Sequence, residues 1–124
     1  PTTPLRSSED LVNAINKIIE TDADGIISVV DVDNWHPMKM KKFIGQSLYD
    51  YEPSPIENPP RQSLPKVYMV NGALYGCKRN VLVEKNSFKG DKCAGYIMPP
   101  ERSVNIDGDA DFVLADYYIK SRTK

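Results

Sequence analysis

The run Ile26-Ile27-Ser28-Val29-Val30-Asp31-Val32 constrains this chain more than any other feature. Side chains branched at Cβ favour extended backbone, and a nearly unbroken apolar run has the signature of a strand covered on both faces. Just before it, Ser7 or Ser8 is placed to cap a helix, with Glu9 and Asp10 in its first turn. Leu11, Ala14, Ile15, Ile18 and Ile19 then recur at helical spacing, which predicts a helix over about 9–21. Asp22-Ala23-Asp24-Gly25 reads as the turn between the two. A helix feeding a buried strand is half of a parallel α/β unit, so the expected class is an α/β sheet protein. The 124 residues, 40% hydrophobic and 27% charged, are enough for one domain with a core.

At Asp33 the texture changes. Asn34-Trp35-His36-Pro37 reads as a loop, and residues 38–43 and 46–51 as a polar two-stranded hairpin across Gly45. Pro53, Pro55, Pro59 and Pro60 then crowd together. Such a segment has little core of its own and suits an extended arm lying on another surface. The pattern from Val67 to Cys77 reads as a strand interrupted at Asn71-Gly72, Asn80 to Lys85 as a short helix, Ser87 to Asp91 as a loop and Cys93 to Met98 as a further strand. The expected organisation is one domain over 1–124, with sheet and helices from 1–33 and 99–124 and an arm and dimerisation segment over 34–98.

Met98 to Phe112 combines a proline stop, an acid-rich turn and an apolar run. Phe112, Val113, Leu114, Ala115, Tyr117, Tyr118 and Ile119 predict a helix with one broad apolar face. Asp109 is expected to cap it, and Lys120, Arg122 and Lys124 suit the opposite dipole end. Val104-Asn105-Ile106-Asp107 alternates like a strand end, so Asn105 and Asp107 are expected to point the same way and offer oxygens to a hard cation such as magnesium. Asp107-x-Asp109-x-Asp111 is not a calcium loop, because Phe112 replaces the required glycine and Tyr118 the bidentate glutamate.

A formal net charge of -1 without a basic run gives no electrostatic footing for nucleic acid or an anionic membrane. No apolar segment approaches the roughly 18 residues of a membrane span, and no signal pattern opens the chain, so a cytoplasmic location is expected. Cys77 and Cys93 are expected as reduced, partly buried thiols, with a disulfide between them as the alternative. His36, the single histidine, has no nucleophile beside it in sequence.

Five segments, Pro1-Thr2-Thr3-Pro4-Leu5-Arg6, His36-Pro37-Met38-Lys39, Arg61-Gln62-Ser63-Leu64-Pro65, Val70-Asn71-Gly72-Ala73-Leu74-Tyr75 and Val104-Asn105-Ile106-Asp107, resemble in that order the carboxyl-terminal half of the N-acylneuraminate cytidylyltransferases, the CMP-sialic acid synthetases. The resemblance covers essentially the whole chain. It implies a partial Rossmann-like nucleotidyltransferase sheet with an extended β-arm for dimerisation. The chemistry implied is attack of a nonulosonic acid's anomeric hydroxyl on the α-phosphate of CTP, with pyrophosphate leaving. It matches Lys39 and Arg61 to residues around the acid sugar, Tyr75 to a sugar-contacting tyrosine, Phe88 to an aromatic against the acyl group, and Asp107 to a catalytic, magnesium-binding aspartate. Asn105 stands where the family usually has a first aspartate, and Lys89 where it usually has a second aromatic.

Without the resemblance, Lys39 and Arg61 read as solvated surface charges, Tyr75 and Phe88 as core or interface aromatics, and Asn71-Gly72 as a turn or bulge. The family's glycine- and basic-rich nucleotide loop has no counterpart in these residues. The expectation is therefore a homodimeric, cytidylyltransferase-like chain that does not bind CTP or act alone. The alternative is a noncatalytic dimerisation or acid-sugar-binding module.

Overall fold

The computed structural model describes residues 2–122, so the readings that rest on Pro1 and Lys124 lie outside the described residues. Two compact units are present. One is formed by the chain up to Val30 together with the chain from Met69 onward, and the other is Asp31–Tyr68.

The first unit is built on a three-stranded sheet. Helix α1, Ser8–Thr21, opens on a reciprocal capping box between Ser7 and Asp10 and leads through the turn into strand β1, Gly25–Asp31. β1 is the central strand, flanked by β4, Tyr68–Cys77, and β5, Cys93–Ile97. β5 runs parallel to β1, with Gly25 opposite Cys93 and Val29 opposite Ile97. β4 runs the other way, since Lys78 N bonds Asp24 O while Leu74 N bonds the Ser28 hydroxyl. The sheet is therefore mixed, as an α/β nucleotidyltransferase-like core allows.

Two apolar clusters hold this unit. Ala14, Ile26 and Leu74 are buried between α1 and the sheet, with Ile18, Ala94 and Tyr96 against them. Leu5, Val104 and Ala115 form the other, joined by Ile106 and Tyr118. The α1 face expected to be buried is only partly covered: Ala14 is enclosed, whereas Leu11, Ile15 and Ile19 remain 44%, 57% and 71% exposed. Helix α2, Arg79–Lys85, joins β4 towards β5, and α3, Asp109–Arg122, closes the chain. On α3 only Ala115 is fully buried, so the expected broad apolar face lies largely open at Phe112, Val113 and Tyr117.

Three local readings are corrected. β4 is continuous through Asn71-Gly72, because Gly72 takes a left-handed φ of +71° inside the strand, as a glycine bulge does. Val104 to Asp107 is not a strand, and its ladder-like bond is from Ile106 N to Thr2 O at 2.7 Å. Asp109 is the first residue of α3, but the bonds at that end go to Asp111, whose carboxylate accepts from Asp107 N and Gly108 N, both at 2.9 Å.

The second unit carries a hairpin of β2, Lys41–Ile44, and β3, Ser47–Asp50, turning at Gly45 with Phe43 opposite Leu48. Single 3-10 turns occur at Pro37–Lys39 and Arg61–Ser63. Cys77 and Cys93 are both free, the first half-buried and the second exposed. They lie on the two strands flanking β1, so about two strand spacings of ~4.8 Å separate them, beyond the reach of a disulfide. Among the described residues no helix is long and apolar enough to cross a membrane.

Candidate functional site

Segments far apart in sequence meet in two clusters, one in each unit. In the first, the chain from Thr2 to Arg6 runs beside β4. The Thr3 hydroxyl donates to Gly72 O at 3.3 Å, and the Arg6 guanidinium to Ala73 O at 2.9 Å. Thr2 O takes Ile106 N, and Leu5 packs on Val104. Asn71 ties the same region to the sheet. Its amide oxygen accepts from the Ser28 hydroxyl at 2.6 Å and from Ala73 N at 3.1 Å, and its amide nitrogen donates to Ser103 Oγ at 2.9 Å. Asn71-Gly72 is thus more than a turn: glycine supplies the bulge and asparagine fills the hydrogen bonds that the bulge leaves open.

Asn105 and Asp107 do face one another. Asn105 Nδ2 donates to Asp107 Oδ2 at 2.7 Å, and both residues are exposed. An amide beside a carboxylate is a satisfied pair without any cation, whereas two carboxylates there would repel. Among the described residues no group of three or more histidine, cysteine or acidic side chains is gathered for a metal. The donor set fits a magnesium ion that brings phosphates and waters with it, and does not fit a cage made by protein alone.

Tyr75 and Phe88 also come together. Their rings are 6.3 Å apart and tilted by 56°, and each is half exposed. Phe88 is set by the loop after α2, which is packed against the start of β1. A Cβ on Gly25 would collide with the Phe88 carbonyl oxygen, and the Asp24 carboxylate accepts from Asp91 N at 2.9 Å and Lys92 N at 3.2 Å. Those backbone bonds hold the Asp24 carboxyl below its usual range.

The second cluster joins the other two segments. His36 is buried, with Nε2 on Pro65 O at 2.9 Å and Nδ1 accepting from Met38 N at 3.2 Å, so both ring nitrogens serve the backbone. Arg61 pairs with Asp33 and reaches Asn34 Oδ1 at 3.4 Å. Arg61 lines a cleft of about 490 Å³ with Asp31, Asp33, Leu64 and Lys66. Lys39 lines a different cleft, of about 410 Å³, with Lys41, Asp50 and Glu57. The two basic residues expected at one ligand are therefore not lining one cleft in this structure.

Sequence reasoning missed Asp10 and Arg102. In sequence Asp10 reads only as a first-turn acid, yet its side chain is 0% exposed. Arg102 grips it through Nε at 2.9 Å and Nη2 at 2.9 Å, and the Tyr96 hydroxyl and Ser7 complete the shell. Burial, the largest single influence, pushes the carboxyl upward. The hydrogen bonds from Arg102, Ser7 and Tyr96 together outweigh it and hold the pKa at about 2. The capping serine and the first-turn acid were legible, but nothing local to Asp10 signals a partner so far along the chain.

The mixed sheet with helices makes this an α/β protein, with a core compatible with a nucleotidyltransferase-like fold. Sequence comparison narrows the class. No family model matches the chain. It is 26% identical over 125 residues to the post-translational flagellin modification protein B of Campylobacter coli, covering 96% of this chain and 50% of that protein. It is 30% identical over 115 residues to N-acylneuraminate cytidylyltransferase A of Danio rerio, covering 93% of this chain and 26% of the relative. Over 59 residues it is 34% identical to the CMP-N,N'-diacetyllegionaminic acid synthase of Campylobacter jejuni, covering 48% of this chain and 25% of that enzyme. The chain spans half or less of the length of these curated relatives. The resemblance to the N-acylneuraminate cytidylyltransferases holds, including the carboxyl-terminal portion concerned, and the chain is cytidylyltransferase-like.

Proposed function

We propose that this chain supplies the acid-sugar side of a cytidylyltransferase that joins a nonulosonic, sialic-type acid to CTP with release of pyrophosphate. The observation that carries this reading is the convergence of the five family-like segments: 2–6, 70–75 and 104–107 meet in one cluster, and 36–39 and 61–65 in the other. In-line substitution at phosphorus asks for positioning and charge control more than for a covalent protein intermediate. Arg61 offers a planar fork suited to the sugar's carboxylate, and Lys39 a positive charge in a cleft of its own. In the other unit, the Tyr75 and Phe88 rings form an apolar pair of the kind that suits an acyl group. Asp107 would hold magnesium, with the Asn105 amide turning over from its present N–H contact with Asp107 to offer its oxygen; the ion when bound neutralises phosphate charge.

Two further features belong to this reading. The chain acts as a homodimer, because every residue of β2 and β3 is exposed and an isolated hairpin is marginal in water. It works in the cytoplasm, where free thiols such as Cys77 and Cys93 stay reduced.

Calorimetric titration with N-acetylneuraminate, and separately with CTP and magnesium, tests the assignment. The acid should bind and Arg61→Ala should weaken it about tenfold or more. CTP should give no saturable heat, since these residues carry no glycine-rich phosphate loop. CTP binding in the micromolar range with no response to the acid would reverse the assignment.

A further inference from the structure

The geometry points to Asp33 as an internal stand-in for the ligand's carboxylate, one that an incoming acid must displace from Arg61. This rests on the reading of Arg61 as the acid-binding group. Asp33 is the natural competitor because its backbone delivers it there. It sits at φ +50°, in the left-handed region, where the Asp31 carboxylate accepts its N–H at 2.9 Å. Aspartate tolerates that conformation better than most residues, and the turn aims its carboxylate at the guanidinium lining the cleft. The second reach of Arg61, to Asn34 Oδ1, is long at 3.4 Å, so the fork is not saturated.

Both partners are about half exposed, at 55% and 52%. A half-exposed single ion pair is weak, and a ligand carboxylate able to accept two parallel N–H bonds from the same fork outcompetes it. Asp33 therefore lowers affinity for acids while keeping the guanidinium oriented when no ligand is present. Neutral sugars, which cannot displace a carboxylate, are disfavoured at the same step.

The test compares wild type, Asp33→Asn, Arg61→Ala and the double variant by calorimetric titration with N-acetylneuraminate. Asparagine keeps the shape of the side chain and accepts the left-handed backbone, so the turn is retained. Asp33→Asn should bind the acid about three- to fivefold tighter, the range expected for removing one exposed charge pair. A merely structural role for Asp33 predicts no gain. In the Arg61→Ala background the same substitution should change nothing. Unchanged or weaker binding by Asp33→Asn, with Arg61→Ala still impaired, overturns the inference and leaves the reading of Arg61 intact. A gain that persists without Arg61 also overturns it. Full binding by Arg61→Ala, or no heat from any of the four proteins, defeats the reading of Arg61 and the inference together.

Discussion

Asp10 shows how one residue links the helix start to the far end of the chain. Its carboxylate closes the α1 capping box and receives the Arg102 fork, so the turn Pro100–Arg102 just before Asn105 and Asp107 is fastened to α1. The carboxyl titrates near 2 in the folded protein against an ordinary 3.8. A depressed folded value means that the stabilisation is present above about pH 4 and is lost as pH falls towards 2, amounting to about 2 kcal/mol. Urea unfolding across pH 2–6 should show that loss in wild type and a flatter profile in Asp10→Asn. At neutral pH the variant should be about 2–4 kcal/mol less stable, because the half-buried Arg102 loses its charge partner. Equal pH profiles for the two proteins would remove Asp10 as the titrating group.

At the scale of elements, the start of β1 controls where Phe88 sits. Gly25 is bare because the Phe88 carbonyl lies where a Cβ would go, and Gly90, at φ +61°, abuts Asp24 in the same way. Gly25→Ala should therefore cost about 1–3 kcal/mol and shift the Phe88 ring away from Tyr75, read by thermal unfolding and by aromatic NMR shifts. Gly95→Ala on β5 is the control, since nothing lies within 4 Å of where its methyl group would sit and stability should be nearly unchanged. If both variants melt alike, close approach is not what fixes the glycine at 25. Much of this level was legible in sequence. The helix expected over 9–21 is Ser8–Thr21, the hairpin turns at Gly45, and the β-branched run is the central strand. The failure at Val104–Asp107 has a plain cause: alternation marks which side chains share a side of extended backbone, but a strand also needs a neighbour along its length, and among the described residues Ile106 alone finds one, in Thr2.

For the whole molecule, the exposed apolar residues set the clearest expectation. Phe43 and Leu48 are a cross-strand pair, 74% and 55% exposed, with Tyr49 and Tyr51 close by in the same hairpin segment. In the proposed dimer this pair is covered. Light scattering at micromolar concentration should give about twice the 14.0 kDa chain mass, and Phe43→Glu should return the single-chain value. A wild-type chain that already scatters as 14.0 kDa would remove the dimer from the proposal.

By itself the sequence determined the class of fold, the order of nearly every element and the five segments that resemble a known family, because periodicity, capping and turn chemistry act between near neighbours in the chain. Only the tertiary structure decided what those segments meet. It buried Asp10 against Arg102, gave Asn71 to Ser28 and Ser103, put Lys39 and Arg61 in different clefts, and set Asp33 on the guanidinium. Most of these partners are dozens of residues apart, and a hydrogen-bonding side chain carries no mark of which distant group will reach it until packing brings the two within about 3 Å.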